Sequence, residues 1–351
     1  MTNGPRYTRQ ERLPGVGPEG QARLARGHAL VIGCGALGCA AADILARAGV
    51  GRLTLVDRDV VELGNLHRQC LFTERDASEG LPKAEAARRR LAEANSTIEI
   101  VAHVADLHAG NAERLAADEP RIILDGTDNF ETRYLLNDLA VSRGIALAYA
   151  GVVASRAVQT TIIPGRTPCL RCLAESPPAP GSTPTCESAG VWPPAVQLIA
   201  ACQASDALKV LLGREETLDP SILEVDLWTL ARARIDLSHA RRDDCPCCGA
   251  RSFDFLTGDA ASDTVALCGT DAVQVRPRGA HTIDLPALAE RLRAHGHVDS
   301  NRFFVRSELS LEPGDDGVPC AITVFPDARA IVRGTTRADR ARTLYARYIG
   351  V

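Results

Sequence analysis

Apolar positions along the chain fall in short runs separated by stretches of helical spacing. The first run, 28–32, ends in Gly33; apolar residues then return at helical intervals over 36–48 and stop at Gly49. A second run, 53–56, ends at Asp57. Short run, helix, short run is the mark of a βαβ unit in a parallel sheet. The alternation continues with a helix over 83–95, a strand over 98–102, a short helix over 111–117 and a strand over 121–124. A helix after Asn129 and a strand over 145–149 follow. There the pattern changes. Residues 151–163 read as strands joined by a turn without a crossover helix, so the sheet gains antiparallel members. Pro, Gly and Ser over 176–185 predict a loop. A long helix over 195–212 and strands near 222–227 and 233–237 complete this body.

The knuckle Cys245-Pro246-Cys247-Cys248-Gly249 marks a boundary between a domain over 1–250 and a smaller one over 251–351. The second region predicts strands over 272–276, 303–308, 321–325 and 330–333, with helices over 285–295 and 337–348. The fold expected is therefore α/β. It is a Rossmann-like mixed sheet, parallel in its N-terminal half and antiparallel in its C-terminal half, followed by a small α+β domain.

Composition narrows the function classes. The chain has 351 residues, 45% hydrophobic and 24% charged, the balance of a soluble globular protein. Its core must be aliphatic, because aromatics are only 4%. A net charge of −4 without a basic stripe argues against nucleic acid as a partner. No apolar run approaches the roughly 18 residues of a membrane span, and no charged-then-apolar leader precedes the fold. A soluble cytoplasmic protein with no membrane partner is expected. In that compartment 12 cysteines read as metal ligands, catalytic thiols or small buried hydrophobes rather than disulfides.

Gly33-Cys34-Gly35-Ala36-Leu37-Gly38 is a G-x-G-x-x-G run between a strand and a helix. Gly33 permits the tight turn, Gly35 lets backbone approach a phosphate, and Gly38 lets helix and strand pack closely. Asp57, at the end of the next strand, stands where a carboxylate binds ribose hydroxyls. The run beyond it carries Asn65, Arg68 and Gln69, which a dehydrogenase does not need; that loop and the cysteine pairs disfavour an NAD(P) oxidoreductase. Arg68 can neutralise phosphate oxygens, and Lys83, opening the next helix, can meet the same anion. Asp125-Gly126-Thr127-Asp128-Asn129 follows a strand at the ligand-binding edge, where a carboxylate suits Mg²⁺ beside phosphates. Together these residues favour a nucleoside triphosphate. Cys169 with Cys172 and Cys245 with Cys248 form two C-x-x-C pairs, the donor set of a tetrahedral Cys₄ zinc site. Cys247 remains an alternative to Cys248 as the fourth ligand.

These motifs, with Arg6-Tyr7-Thr8-Arg9-Gln10 near the N-terminus, resemble the ThiF/MoeB/HesA branch of the ubiquitin-activating enzyme superfamily. The likeness runs from Arg6 through Cys248. Segments of the C-terminal region resemble an extension found on Bacillus-type ThiF proteins. The resemblance implies an ATP-dependent adenylyltransferase that activates the C-terminal Gly-Gly carboxylate of a ubiquitin-like sulfur carrier of ThiS or MoaD type. The product is an acyl-adenylate for thiamin thiazole or molybdopterin synthesis. It implies that Asp57 holds the ribose, that Asn65, Arg68 and Lys83 hold phosphates, and that Asp128, beside Asn129, binds Mg²⁺. Arg9 would reach the triphosphate of a neighbouring subunit, so a homodimer is implied.

Cys186, after the Pro/Gly-rich loop, aligns with a family cysteine that in some members forms a covalent link to the carrier. Residues 251–351 offer no persulfide loop at Cys268 or Cys320, so sulfur would come from a separate cysteine desulfurase or rhodanese. Two other readings share part of this pattern. One is an activating enzyme of a ubiquitin-like conjugation pathway, with Cys186 as thioester carrier. The other is a non-catalytic scaffold that binds a ubiquitin-like protein, which the joint presence of Arg9, Arg68, Lys83 and Asp128 disfavours.

Overall fold

The computed structural model describes residues 5–178, 188–258, 264–267, 272–277, 282–315 and 317–350. Cys186, Cys268 and most of the loop expected over 176–185 lie outside them. The chain divides into two compact units, Met1–Ala261 and Ser262–Val351.

The first unit is built on eight strands: β1 His28–Ile32, β2 Arg52–Asp57, β3 Glu99–Val104, β4 Ile122–Asp125, β5 Ala146–Val153, β6 Arg156–Ile162, β7 Ser221–Asp226 and β8 Ala231–Asp236. Their order in the sheet is β3-β2-β1-β4-β5-β6-β7-β8. Pairings from β3 to β5 are parallel, and those from β5 to β8 are antiparallel. The change of direction has the cause read from the sequence: only two residues separate β5 from β6, too few for a crossover. The inner strands β1 and β4 are buried almost throughout, as helix-covered parallel strands must be. The edge strand β8 is exposed at every residue, and its arginines discourage pairing with another chain.

Helices of this unit are α1 Thr8–Glu11, α2 Gly17–Leu24, α3 Ala36–Ala48, α4 Glu74–Ser78, α5 Lys83–Ala94, α6 Ala109–Leu115, α7 Phe130–Arg143, α8 Leu170–Leu173, α9 Pro193–Leu211 and α10 Asp254–Thr257. α6 begins two residues before the expected start, because the His108 side chain accepts from Gly110 N while Asn111 returns a bond to His108 N. α9 lies across β4, β5 and β6 and packs on α3, whose small residues allow a close approach. From α9, the buried Gln203 donates to Asp125 O (2.9 Å) and Ala148 O (2.8 Å), tying two adjacent strands to the helix.

The N-terminal segment is clipped to the far end of α3. That helix ends at Gly49 in the left-handed conformation, φ 82°, and a Cβ there would stand 2.5 Å from Tyr7 Cζ. Asn95 Nδ2 donates to Tyr7 Oη (2.8 Å) and Ala46 O (2.7 Å). Gln10 Nε2 donates to Ala48 O (2.9 Å) and Gln21 Oε1 (2.7 Å). α1, with Arg9, is thereby held at the C-terminal end of α3.

The second unit is an antiparallel sheet of β9 Thr264–Leu267, β10 Ala272–Val275, β11 Val298–Ser300, β12 Val305–Pro313, β13 Pro319–Val324 and β14 Ala330–Arg333, in the order β11-β12-β13-β14-β10-β9. α11 Leu285–Leu292 and α12 Ala338–Tyr348 pack on it. Leu288, Leu292 and Leu344 meet Val273, Val305, Ile322 and Val332 in an aliphatic core. The sequence pattern missed β9 and β11, which span four and three residues, too short to show an alternation.

Asn95 is fully buried and holds the N-terminal clip, so Asn95→Ala should cost about 2 kcal/mol, the scale of an orphaned buried partner. Hydrogen exchange in residues 8–11 should accelerate with it. Unchanged denaturation midpoint and exchange would show that Asn95 is not the clip.

Candidate functional site

The strand order reverses between β1 and β4, and in open α/β sheets the crevice beyond such a pair is the ligand site. The turns that follow these two strands interlock there. Gly33 has φ +88°, and a Cβ on it would stand 2.7 Å from Gly126 O. A Cβ on Gly126 would meet Gly33 O at 2.4 Å, and one on Gly38 would meet the same oxygen at 1.8 Å. Glycine is required at all three by the protein itself. Gly35 is different: its φ is −76°, and the nearest atom to an added Cβ is Gly126 O at 3.7 Å. Nothing in the protein demands glycine at that point. The space kept clear lies at the N-terminus of α3, where backbone N–H groups have no side-chain cap and favour an anion.

Asp57 closes β2 and ties this turn to the next. Its Oδ2 accepts from Cys34 N (2.6 Å), inside the Gly-rich turn, and its Oδ1 accepts from Asp59 N (2.7 Å). Burial pushes its carboxyl up, while Lys83 and the two N–H donors pull the other way. A carboxylate has about four acceptor positions, so two remain for ligand hydroxyls.

Lys83 arrives at the same place because Val60 bridges to Pro82 and Lys83 N donates to Asp59 O (2.9 Å). Its Nζ, on a residue only 8% exposed, donates to Asp59 Oδ2 at 3.0 Å. Burial pulls the ammonium down, but Asp59, Asp57 and Asp128 outweigh it and hold Lys83 above its ordinary value. It is therefore a buried cation at neutral pH. Arg68 is half-buried: its Nη2 donates to Asn65 Oδ1 (3.0 Å) and its Nη1 to Gly64 O (3.0 Å). In this geometry Asn65 orients the guanidinium of Arg68.

Asp128 follows β4 and is exposed, with no side-chain hydrogen bond among the described residues. One open carboxylate near phosphates is the donor set Mg²⁺ uses, so Asp128 fits that ion. Asn129 Oδ1 accepts from Thr132 N (2.8 Å) and caps α7, which fixes the residue after Asp128. Sequence reasoning passed over Asp59 as a partner for Lys83, and Arg133, whose side chain reaches back to this turn. Asp59 had a signal, lying two residues past the ribose acid; the Val60–Pro82 pairing that makes it a partner had none.

Two expected site residues are not among these. Arg9 is exposed on α1, at the opposite end of α3 from Gly35. Thirteen residues of helix separate the two ends, roughly 20 Å at 1.5 Å per residue. Cys186 lies outside the described residues.

The cysteine pairs meet. Cys169 and Cys245 sulfurs are 3.6 Å apart, Cys172 and Cys248 3.4 Å, and Cys169 and Cys172 4.0 Å. All four sulfurs lie within 4.8 Å of one another. A tetrahedral ion with zinc–sulfur bonds of about 2.3 Å would set its sulfurs about 3.8 Å apart, so the cluster fits zinc. Cys247, though it also bonds to Cys169, accepts from Asn137 Nδ2 (3.3 Å) and is engaged by Asp138, both on α7. The geometry brings Cys248, not Cys247, into the group of four.

The model of the ThiF family matches residues 7–247. The sulfur carrier protein ThiS adenylyltransferase of Bacillus subtilis is 41% identical over 346 residues, covering 98% of this chain and 99% of that protein. The SAMP-activating enzyme E1 of Haloferax volcanii is 36% identical over 251 residues, covering 72% of this chain and 91% of that protein. Among solved structures, Escherichia coli MccB with ATP superposes with a TM-score of 0.55 at 25% identity, covering 65% of this chain and 68% of that one.

The glycines separate fold from ligand experimentally. Gly38→Ala should cost roughly 3 kcal/mol, the upper range of overpacking, or prevent folding. Gly35→Ala should keep its stability within about 0.5 kcal/mol, the range of an uncrowded substitution, and weaken ATP binding. Calorimetry on both variants checks this, and undiminished ATP binding by Gly35→Ala would remove the phosphate from that turn.

Proposed function

The chain belongs to the ThiF family, and on that premise we propose that it uses ATP to activate the C-terminal Gly-Gly carboxylate of a ubiquitin-like sulfur carrier, of ThiS or MoaD type. The resulting acyl-adenylate serves sulfur transfer in thiamin thiazole or molybdopterin biosynthesis. The protein is an adenylyltransferase. The observation that carries this reading is the meeting of the Gly-rich turn, Asp57, Lys83 and Asp128, from separate stretches of sequence, at one end of the sheet. The likeness to the ThiS adenylyltransferase over 98% of the chain, the extension included, supports the carrier as substrate.

In the reaction a carrier carboxylate oxygen bonds to the α-phosphorus, the bond from that phosphorus to the bridging oxygen breaks, and pyrophosphate leaves with the bond's electrons. No covalent enzyme intermediate is needed, so catalysis is placement and charge stabilisation. Asp57 accepts hydrogen bonds from the ribose hydroxyls. Gly35 and the first turn of α3 offer N–H groups to the phosphates. Arg68, held in orientation by Asn65, presents its fork to phosphate oxygens, and Lys83 supplies a cation already paid for by Asp59. Mg²⁺, when bound at Asp128, neutralises charge on those oxygens. Asn129 keeps that turn in place.

Arg9 sits too far from its own Gly-rich turn for one side chain to span, so we assign it to the triphosphate of a second copy, in a homodimer with shared sites. Zinc at Cys169, Cys172, Cys245 and Cys248 is structural, joining two loops distant in sequence. Cys186 is the thiol that receives the activated carrier, with sulfur supplied by a separate cysteine desulfurase or rhodanese. The adenylating domain, expected over 1–250, is assigned the whole first unit to Ala261, and the extension after it takes no step of this chemistry. No described helix is long and apolar enough to cross a membrane, and cysteines kept out of disulfides suit a reducing compartment such as the cytoplasm. The likeness to the SAMP-activating enzyme favours a second reading, activation for a ubiquitin-like conjugation pathway, which shares the adenylation step.

ATP–pyrophosphate exchange with candidate carriers tests the assignment. Arg68→Ala, Lys83→Ala and Asp128→Ala should each lose about 100-fold or more, the scale of a removed transition-state contact. Near-normal exchange in all three would sink it. Mixing Arg9→Ala with Lys83→Ala protein should restore activity, since a mixed dimer keeps one intact site; no recovery would place Arg9 in its own chain's site or outside both.

Intact mass should reveal a Cys186 adduct, and transfer of the carrier from it onto lysines would move the protein to the conjugation reading. Zinc should be present at about one per chain, as one four-sulfur site requires. Cys248→Ser should lose it and Cys247→Ser keep it.

A further inference from the structure

Arg133 is used in no step above, yet its side chain is built into the turn after β4. It lies one turn into α7 with its side chain 11% exposed. Its Nη2 donates to Thr127 O (3.0 Å) and its Nη1 to Tyr149 Oη (3.2 Å). Its Nε stands 3.6 Å from Asp125 Oδ2, on a carboxylate that is fully buried. The guanidinium lies near the rings of Phe130 and Tyr149, 5.3 and 5.2 Å from their centroids. Asp125 Oδ1 in turn accepts from Thr127 N (2.9 Å) and Thr127 Oγ1 (2.6 Å). Gln203 holds Asp125 O from the other side.

Burying a cation costs desolvation, and a well-packed apolar side chain would stabilise this region as well or better. What an apolar residue cannot do is donate to a carbonyl and a phenol from one planar fork while setting its charge beside a buried carboxylate. Thr127, whose carbonyl Arg133 holds, immediately precedes Asp128, and Asp125, beside its Nε, opens the same turn. We propose that Arg133 is a positioning residue for the adenylation site: by fastening the 125–127 turn to Tyr149 on β5, it fixes where the Asp128 carboxylate stands relative to Lys83. The inference rests on Asp128 holding the Mg²⁺ that accompanies ATP. It assigns Arg133 no contact with substrate. A misplaced Asp128 should therefore act first on the metal requirement and on the affinity for Mg-ATP.

The test uses the full-length chain with Arg133→Gln, Arg133→Lys and Tyr149→Phe. For each, ATP–pyrophosphate exchange gives kcat, KM for Mg-ATP and the half-saturating Mg²⁺ concentration, and calorimetry gives ATP binding without Mg²⁺. Arg133→Gln should raise the KM and the Mg²⁺ requirement about 10-fold, as loss of one charged hydrogen bond converts to affinity. Arg133→Lys should recover part of this, and Tyr149→Phe should shift both about 3-fold in the same direction, having lost one of the guanidinium's partners while the rest remain. Mg²⁺-free ATP binding should stay near wild type in all three. A lower melting temperature with unchanged KM and Mg²⁺ requirement overturns the proposal and leaves Arg133 a packing residue. If neither Arg133 variant folds, Tyr149→Phe decides: shifted constants support the proposal, and wild-type constants overturn it. Absence of exchange in the wild type would instead fail the adenylation reading; the Mg²⁺ dependence of ATP binding, read by calorimetry in wild type and variants, then decides the role of Arg133.

Discussion

The backbone contact between the turn after β1 and the turn after β4 is the constraint on which the site depends. Gly33 and Gly126 approach so closely that a single methyl group on either would strike the other's carbonyl. That approach keeps the start of α3 against the sheet and puts the Gly-rich turn and the Asp125–Asp128 turn on either side of one crevice. It also leaves α3 free to begin without a side-chain cap, so its N–H groups stay available to an anion. Asp57 depends on the same closeness, since it reaches Cys34 N only while that turn sits on the end of β2.

The second layer is electrostatic. Three acids, Asp57, Asp59 and Asp128, surround one buried ammonium, and the arrangement is stable only because each sign is present. The acids keep Lys83 charged in a place where burial alone would discharge it. Lys83 in turn lowers the cost of holding Asp57 as a carboxylate. Lys83 is thus a cation already formed and oriented, with little reorganisation left for an anion that arrives beside it. Arg133 continues the theme one strand over, where a buried guanidinium beside a buried Asp125 carboxylate donates to Thr127 O, and Asp125 accepts from the same residue.

The four-cysteine cluster and the N-terminal clip do for distant segments what the glycines do for adjacent ones. Cys169 and Cys245 lie in loops separated by β7, β8 and α9, and their sulfurs meet at 3.6 Å. The clip at Gly49 holds Arg9 at the far end of α3 from its own Gly-rich turn.

Much of this was legible in the sequence, and the reason is local. A strand of five apolar residues, a glycine turn and a helix are specified by neighbours in the chain, so β1, α3, β2, the glycines and Asp57 could be read directly. The C-x-x-C pairs were legible for the same reason, each being a short turn with a fixed spacing. What the sequence could not decide was pairing between remote stretches. Asp59 became the partner of Lys83 through the contact of Val60 with Pro82, Cys248 was separated from Cys247 by Asn137 and Asp138 on another helix, and Asn65 proved to orient Arg68. Arg133 carried no motif that set it apart from any helical arginine. Its role exists only because β5 brings Tyr149 beside the turn after β4, and contacts of that kind depend on how strands are ordered in the sheet, which local spacing does not encode.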